Sequence, residues 1–276
     1  MKDITRAQPR KGVEKGDEAG LSGTFTRLDR VHVLSVVFAL GITAYLAVEP
    51  TQNWLLLLLA GLSALGTDAV VRGHPKAHFH NLDDTVLFLL VPALFTLGLG
   101  LFLEEVANGH WTLAAGLLSV VPFWAILKAE YDSVDRAAAN FQSTRLILNV
   151  ATYVVAFLFF ATIYDFELSV VAAAFAAGMV AVLLGIEVLR EEAMDNFKTA
   201  THALAIGILL AQAAWATHFL PLEGAAAAVF LLLAFYLTTG IMHNYLAGRL
   251  NARTGSEFAS VAAAGLGIVI VSQALT

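Results

Sequence analysis

The chain has 276 residues, of which 58% are apolar and only 14% charged, and its mean hydropathy is +0.74. That leaves too few ionisable groups to wrap a soluble globule of this length, so lipid must cover most of the surface. A formal charge of −6 gives nucleic acid no footing, and with no cysteine there are no disulfides, thiolate nucleophiles or iron–sulfur ligands.

The first thirty residues, MKDITRAQPRKGVEKGDEAGLSGTFTRLDR, mix both charge signs and contain no apolar signal-peptide core. Residues 1–28 are therefore expected to form a disordered cytoplasmic tail, and 29–276 a single transmembrane domain. Nine apolar runs follow, near 31–48, 54–72, 85–103, 111–129, 145–164, 168–189, 200–218, 224–246 and 258–275. Each is long enough to cross about 30 Å of hydrocarbon as a helix. Stretches such as FALGITAYLAV and AAAFAAGMVAVLLG are apolar all round, where a barrel strand would alternate. The expected fold is all-α, a polytopic bundle of about nine transmembrane helices.

Basic residues fix an expected orientation. With the N-terminus inside, the loops at 48–53, 104–110, 164–167 and 218–223 fall outside, and none contains a Lys or Arg. All sixteen basic residues then face the cytoplasm, which points to an inner membrane with the C-terminus outside. Along the chain, Pro92 and Pro122 interrupt the third and fourth spans, where each removes a backbone hydrogen bond and bends its helix. In the sixth span Ala174 with Gly178, and Ala177 with Ala181 and Gly185, repeat every fourth residue, as do Ala203, Gly207 and Ala211 in the seventh. Small residues at that spacing let membrane helices approach closely, so these two spans are expected at the centre of the bundle.

Polar groups at membrane depth are costly and are the first candidates for function. Asp68, Glu130, Asp132, Glu187, His202 and His243 gather at the cytoplasmic level, with Asn149 and Tyr236 nearer the midplane. The outer half offers few polar groups: Thr96, Gln212, Trp215, Thr217 and the interfacial His110 and His218. A permease needs polar groups on both sides, so a site open to the inner face is favoured over a through-route. Helix-end pairing competes for the same residues: Lys128 with Asp132, Asp132 with Arg136, and Glu187 with Arg190 all have pairing spacing. Asn81 and Asp84 are suited to cap the third span, and Thr254 with Glu257 to form a capping box for the ninth.

The segment GHPKAHFHNLDDT, residues 73–85, is the other dense polar stretch. Its His78, His80, Asp83 and Asp84 are ligand types that suit a divalent ion such as zinc or manganese, although H-x3-H-x-H matches no established helix ligand pair. As a plain loop it would meet lipid head groups through Arg72 and Lys76. Haem is disfavoured, because His202 and His218 lie sixteen residues apart, about 160° around their helix. No G-x-S-x-G, H-E-x-x-H or Walker motif names a reaction.

Three function classes remain. The leading one is a polar pocket at the cytoplasmic face, assisted by a divalent metal if one binds, that holds or modifies a lipid-like amphiphile. In that class Glu130, Asp132, Glu187 and His243 would be the chemical groups, and Asp68, His202, Tyr236 and Asn149 the ligand-binding ones. The second is a non-catalytic subunit that holds other membrane subunits through its alanine- and glycine-rich faces. The third is a proton-coupled or small-solute transporter with a polar path past Gln212 and Tyr236.

Overall fold

A computed structural model describes residues 15–275 apart from 49–50, 80, 82–83, 107–109, 167, 191–195, 221 and 223. Among the described residues all regular structure is helical: α1 (Lys15–Ala47), α2 (Asn53–Arg72), α3 (Val86–Val106), α4 (His110–Leu118), α5 (Val120–Asp132), α6 (Phe141–Asp165), α7 (Val170–Leu189), α8 (Asn196–Thr217), α9 (Gly224–Leu246) and α10 (Ala252–Leu275). Eight spans are long and apolar enough to cross a bilayer, with α4 and α5 together making one of them, Trp111–Asp132. At 24 residues, α10 is the ninth helix of membrane length. Helix α1 starts at Lys15, inside the segment expected to be an unstructured tail. Once the apolar part of the helix is fixed, upstream residues need only propagate it, and the last proline before it is Pro9.

Backbone chemistry sets the helix boundaries. Helix α2 stops at Arg72 because Pro75 has no N–H to continue it, and the Gly73 and His74 amides close the last turn on Val70 and Val71 at 3.1 and 3.0 Å. The break at Ser119 separates α4 from α5. There Pro122 cannot donate to Leu118, and Ser119 Oγ turns back to the Gly116 carbonyl at 2.5 Å. Pro92, by contrast, sits inside an unbroken α3, and its carbonyl accepts from Thr96 at 2.8 Å. Gly248, with φ of 65°, ends α9 in a left-handed cap, in which the Arg249 amide reaches Asn244 O at 2.9 Å and the Gly248 amide reaches Tyr245 O at 3.1 Å. At the start of α10, Asn251 caps the helix by accepting the Thr254 amide at 2.9 Å. Thr254 was expected to be the cap, but the helix begins one turn earlier.

Helices α6 and α7 occupy the centre, with Leu148, Val155, Ala156, Phe160, Ala177, Ala181, Leu184 and Leu189 fully buried. Helix α6 is packed by α3, α5, α7 and α9, whereas α10 leans chiefly on α9. The small-residue stripes do form the tightest seam, between α7 and α8. A Cβ added at Gly207 would lie 2.7 Å from the Gly178 carbonyl, and one at Gly178 would lie 3.0 Å from Ala211 Cβ. Yet α8 is peripheral: its Leu204, Ile208, Leu209 and Trp215 face outward. Close approach and centrality are separate properties, because lipid gives no apolar drive to bury a helix on all sides.

Candidate functional site

The loops alternate between the two ends of the bundle, so α2, α5, α7 and α9 finish at the end where α3, α6, α8 and α10 begin. At that end four ionisable side chains meet below the surface. Glu130, on the last turn of α5, and Glu187, on the last turn of α7, are fully buried. Arg190, just past α7, bridges them, with Nη2 3.1 Å from Glu130 Oε2 and Nη1 3.0 Å from Glu187 Oε2. Arg145, on α6, donates from Nη1 to Glu187 Oε1 at 3.1 Å and from Nη2 to the Glu187 carbonyl at 3.3 Å. Ser133 Oγ accepts from Arg190 at 3.3 Å and donates to the Glu130 carbonyl at 2.8 Å. The guanidinium also lies 4.4 Å over the ring of Phe88 on α3.

Two cations and two anions thus tie α5, α6 and α7 together, and the Arg190 guanidinium reaches α3 through Phe88. Burial of either sign alone would be prohibitive, and the alternation along Arg145, Glu187, Arg190 and Glu130 offsets the desolvation. Glu130 Oε1 and Asn149 Oδ1 are buried and make no hydrogen bond within the described residues.

Beside this network is a cavity of about 290 Å³. Its lining is mixed: Arg145, Arg190, Ser133, Arg136 and Asp84 are polar, and Phe79, Leu87, Phe88, Val134 and Phe141 are apolar. Helices α3 and α6 begin beside it, so their partly positive N-terminal ends border it.

The structure brings together only part of the set the sequence picked out. Glu130 and Glu187 meet through Arg190. Asp132 belongs to a separate pair with Lys128 at 2.6 Å, and Arg136, lying beyond the end of α5, is not its partner. Asp68 accepts from Arg72 Nε at 2.7 Å and from Thr85 Oγ1 at 2.6 Å, clamping α2 to the start of α3. His202 Nδ1 lies 2.7 Å from the carbonyl of Lys198 on its own helix. His243 is on the last turn of α9. Tyr236 faces outward beside Tyr153 and Phe258, with ring centroids 5.7 and 6.1 Å away. Of the four proposed metal ligands, His80 and Asp83 lie outside the described residues. His78 is exposed with Nδ1 2.9 Å from the Lys76 carbonyl, and Asp84 accepts the Asn81 amide at 3.1 Å. Among the described residues no group of three potential metal ligands converges.

Several residues here were not singled out from sequence. Arg190 was expected only as a helix-end partner of Glu187, not as a bridge to Glu130, and Arg145 counted only as a basic residue, although it falls within an apolar run, a position that itself signals a buried partner. The opposite end also holds more polar structure than expected, since the hydroxyls of Tyr45 and Thr51 both donate to Glu104 and tie α1 and the α1–α2 loop to α3. A cavity of about 460 Å³ lies at that end, lined by Tyr164, Thr217 and His218 among apolar residues.

A bundle of apolar helices with a charge-compensated interior at one end defines a multi-pass membrane protein. The chain belongs to the family described as protein of unknown function (DUF5656), whose profile matches residues 32–272. No curated protein and no solved structure matches it.

Proposed function

We propose that the chain binds a membrane amphiphile in the cavity beside the ion network, and that this end of the bundle faces the cytoplasm of a cell whose inner membrane it spans. The observation that carries this reading is the mixed lining. Guanidinium, hydroxyl and carboxylate groups share it with five aromatic or aliphatic side chains. That is the complement of a polar head joined to an apolar chain. At about 290 Å³ the cavity has room for a head group and the first carbons of a chain. The location of every Lys and Arg in the inner loops supports the orientation.

The same geometry favours binding over chemistry. A general acid or base must present an oxygen to its substrate, but Glu130 and Glu187 are fully buried on Arg190 and Arg145 and neither is among the residues that line the cavity. The transporter reading has less support, because Gln212 faces outward from α8 and Tyr236 from α9.

The test is thermal unfolding of purified chain in a neutral detergent, with single-chain amphiphiles titrated in. Binding raises the melting temperature, and replacing Phe141 by Ser, which removes part of the apolar lining, should reduce the rise. A melting temperature that no amphiphile moves would refute the proposal.

A further inference from the structure

We infer that the head group this cavity takes is a phosphate ester, an inference that rests on the amphiphile reading above and names the ligand class. Charge around the cavity is the first reason. Arg145 and Arg190 are matched one for one by Glu187 and Glu130, so the buried network is neutral. Arg136 is left over. It is exposed on the cavity wall, and among the described residues it forms no ion pair, because Asp132, four residues before it, gives both oxygens to Lys128 at 2.8 and 2.6 Å. The acid in the lining, Asp84, is already engaged by the Asn81 amide.

The backbone points the same way. Leu87 and Phe88 belong to the first turn of α3, and Phe141 is the first residue of α6, so both helices present their N-terminal turns to the cavity. The Phe88 and Phe141 amides close on the Thr85 and Ala138 carbonyls at 2.9 and 3.1 Å, so what the two helix ends offer the cavity is their partial positive charge. A guanidinium fork beside the partly positive ends of two helices matches an oxyanion that has several acceptor oxygens. In a cytoplasmic leaflet the abundant amphiphiles with that chemistry are phosphate esters. Arg136 makes the outer contact, Arg145 and Arg190 stay committed to their carboxylates, and the apolar lining takes the start of the chain.

The experiment uses full-length chain in phosphatidylcholine nanodiscs doped with a diazirine-bearing phosphatidic acid or the matching diazirine diacylglycerol, and peptide mass spectrometry maps the label. The phosphate analogue should label segments 79–88 and 134–145 about tenfold more than the neutral one, the worth of roughly one charge-assisted hydrogen bond. Arg136→Gln, an exposed change outside the network, should lower that labelling severalfold while labelling of other helices stays constant. Millimolar inorganic phosphate should not displace the label. Equal labelling by both analogues would overturn the phosphate assignment and leave the amphiphile reading standing. Labelling of these segments by neither would overturn the amphiphile reading itself. Displacement by inorganic phosphate would make a free anion the ligand and overturn both.

Discussion

Replacing Arg190 by Met takes the cation from between two carboxylates that solvent does not reach. Arg145 stays on Glu187 at 3.1 Å, so the loss falls mainly on Glu130, whose ion pair in the structure is Arg190 at 3.1 Å. Interhelical hydrogen bonds in membrane proteins average only about 0.6 kcal/mol, so losing the Glu130 and Ser133 bonds alone would cost about 1 kcal/mol. The larger cost is the orphaned charge, since breaking a buried pair from one side costs about 3–5 kcal/mol. We therefore expect Arg190→Met to destabilise the bundle by about 3 kcal/mol, roughly a hundredfold in the folding equilibrium. Adding Glu130→Gln removes that charge, so the double variant should be more stable than Arg190→Met alone by about 1–2 kcal/mol. Reversible unfolding in mixed micelles by added sodium dodecyl sulfate, followed by tryptophan fluorescence, measures both. If Arg190→Met stays within about 0.5 kcal/mol of wild type, or the double variant is no better than the single, the network does not hold these helices.

Three further expectations follow from other parts of the bundle. Gly207→Ala puts a methyl 2.7 Å from the Gly178 carbonyl, a backbone atom that cannot swing aside, and should cost about 1–3 kcal/mol. Gly185→Ala on the same seam meets its nearest atom at 3.4 Å and should be neutral or slightly stabilising in thermal unfolding. Because the chain has no cysteine, Ala137→Cys and Ser169→Cys report sidedness directly. An impermeant maleimide should reach them from opposite sides of the membrane, with Gln273→Cys reacting alongside Ser169→Cys if α10 is a ninth crossing. Finally, the hydrogen bond from Lys76 at 2.6 Å holds the Asp135 carboxyl below the usual aspartate range. A depressed folded-state value means this tether is intact above the ordinary aspartate pKa and is lost as pH falls through the lowered one. Lys76→Met should raise the Asp135 titration, followed by NMR, toward the usual range, with the Ala137 amide still holding it somewhat low.

The helices were legible because period and length are local properties, and the two-sided distribution of Lys and Arg needs only a count of charges along the chain. Pro122 lies beside a break, while Pro92 sits buried inside an unbroken α3; both read alike in sequence, and what differs is the packing around them, which no local rule contains. The site was half legible. Glu187 and Arg190 are three residues apart and declare their pairing, whereas Glu130 and Arg190 are sixty apart and meet only because α5 and α7 end at the same level. Arg145 could have been found by asking what an arginine within an apolar run must pair with. The Glu104 cluster carried no such sign, since its partners are hydroxyls that sequence reading treats as ordinary helix and loop residues.

Of the three arginines that border the cavity, Arg190 and Arg136 differ in burial, and this separates binding from folding. Arg190 has 9% of its side chain exposed and belongs to the network, whereas Arg136 is exposed and belongs to no pair among the described residues. A ligand that binds only the folded chain adds stability, about 2.7 kcal/mol at a hundred times its dissociation constant. Arg136→Gln should therefore leave the ligand-free melting temperature unchanged and remove most of the rise produced by a phosphate amphiphile. Arg190→Met should lower the ligand-free value and, if the cavity still forms, keep much of the rise, because Arg136 and the N-termini of α3 and α6 remain. If both variants lost ligand-free stability equally, Arg136 would have to be part of the structural network. If neither changed the ligand-induced rise, the anion contacts would have to lie elsewhere on the bundle.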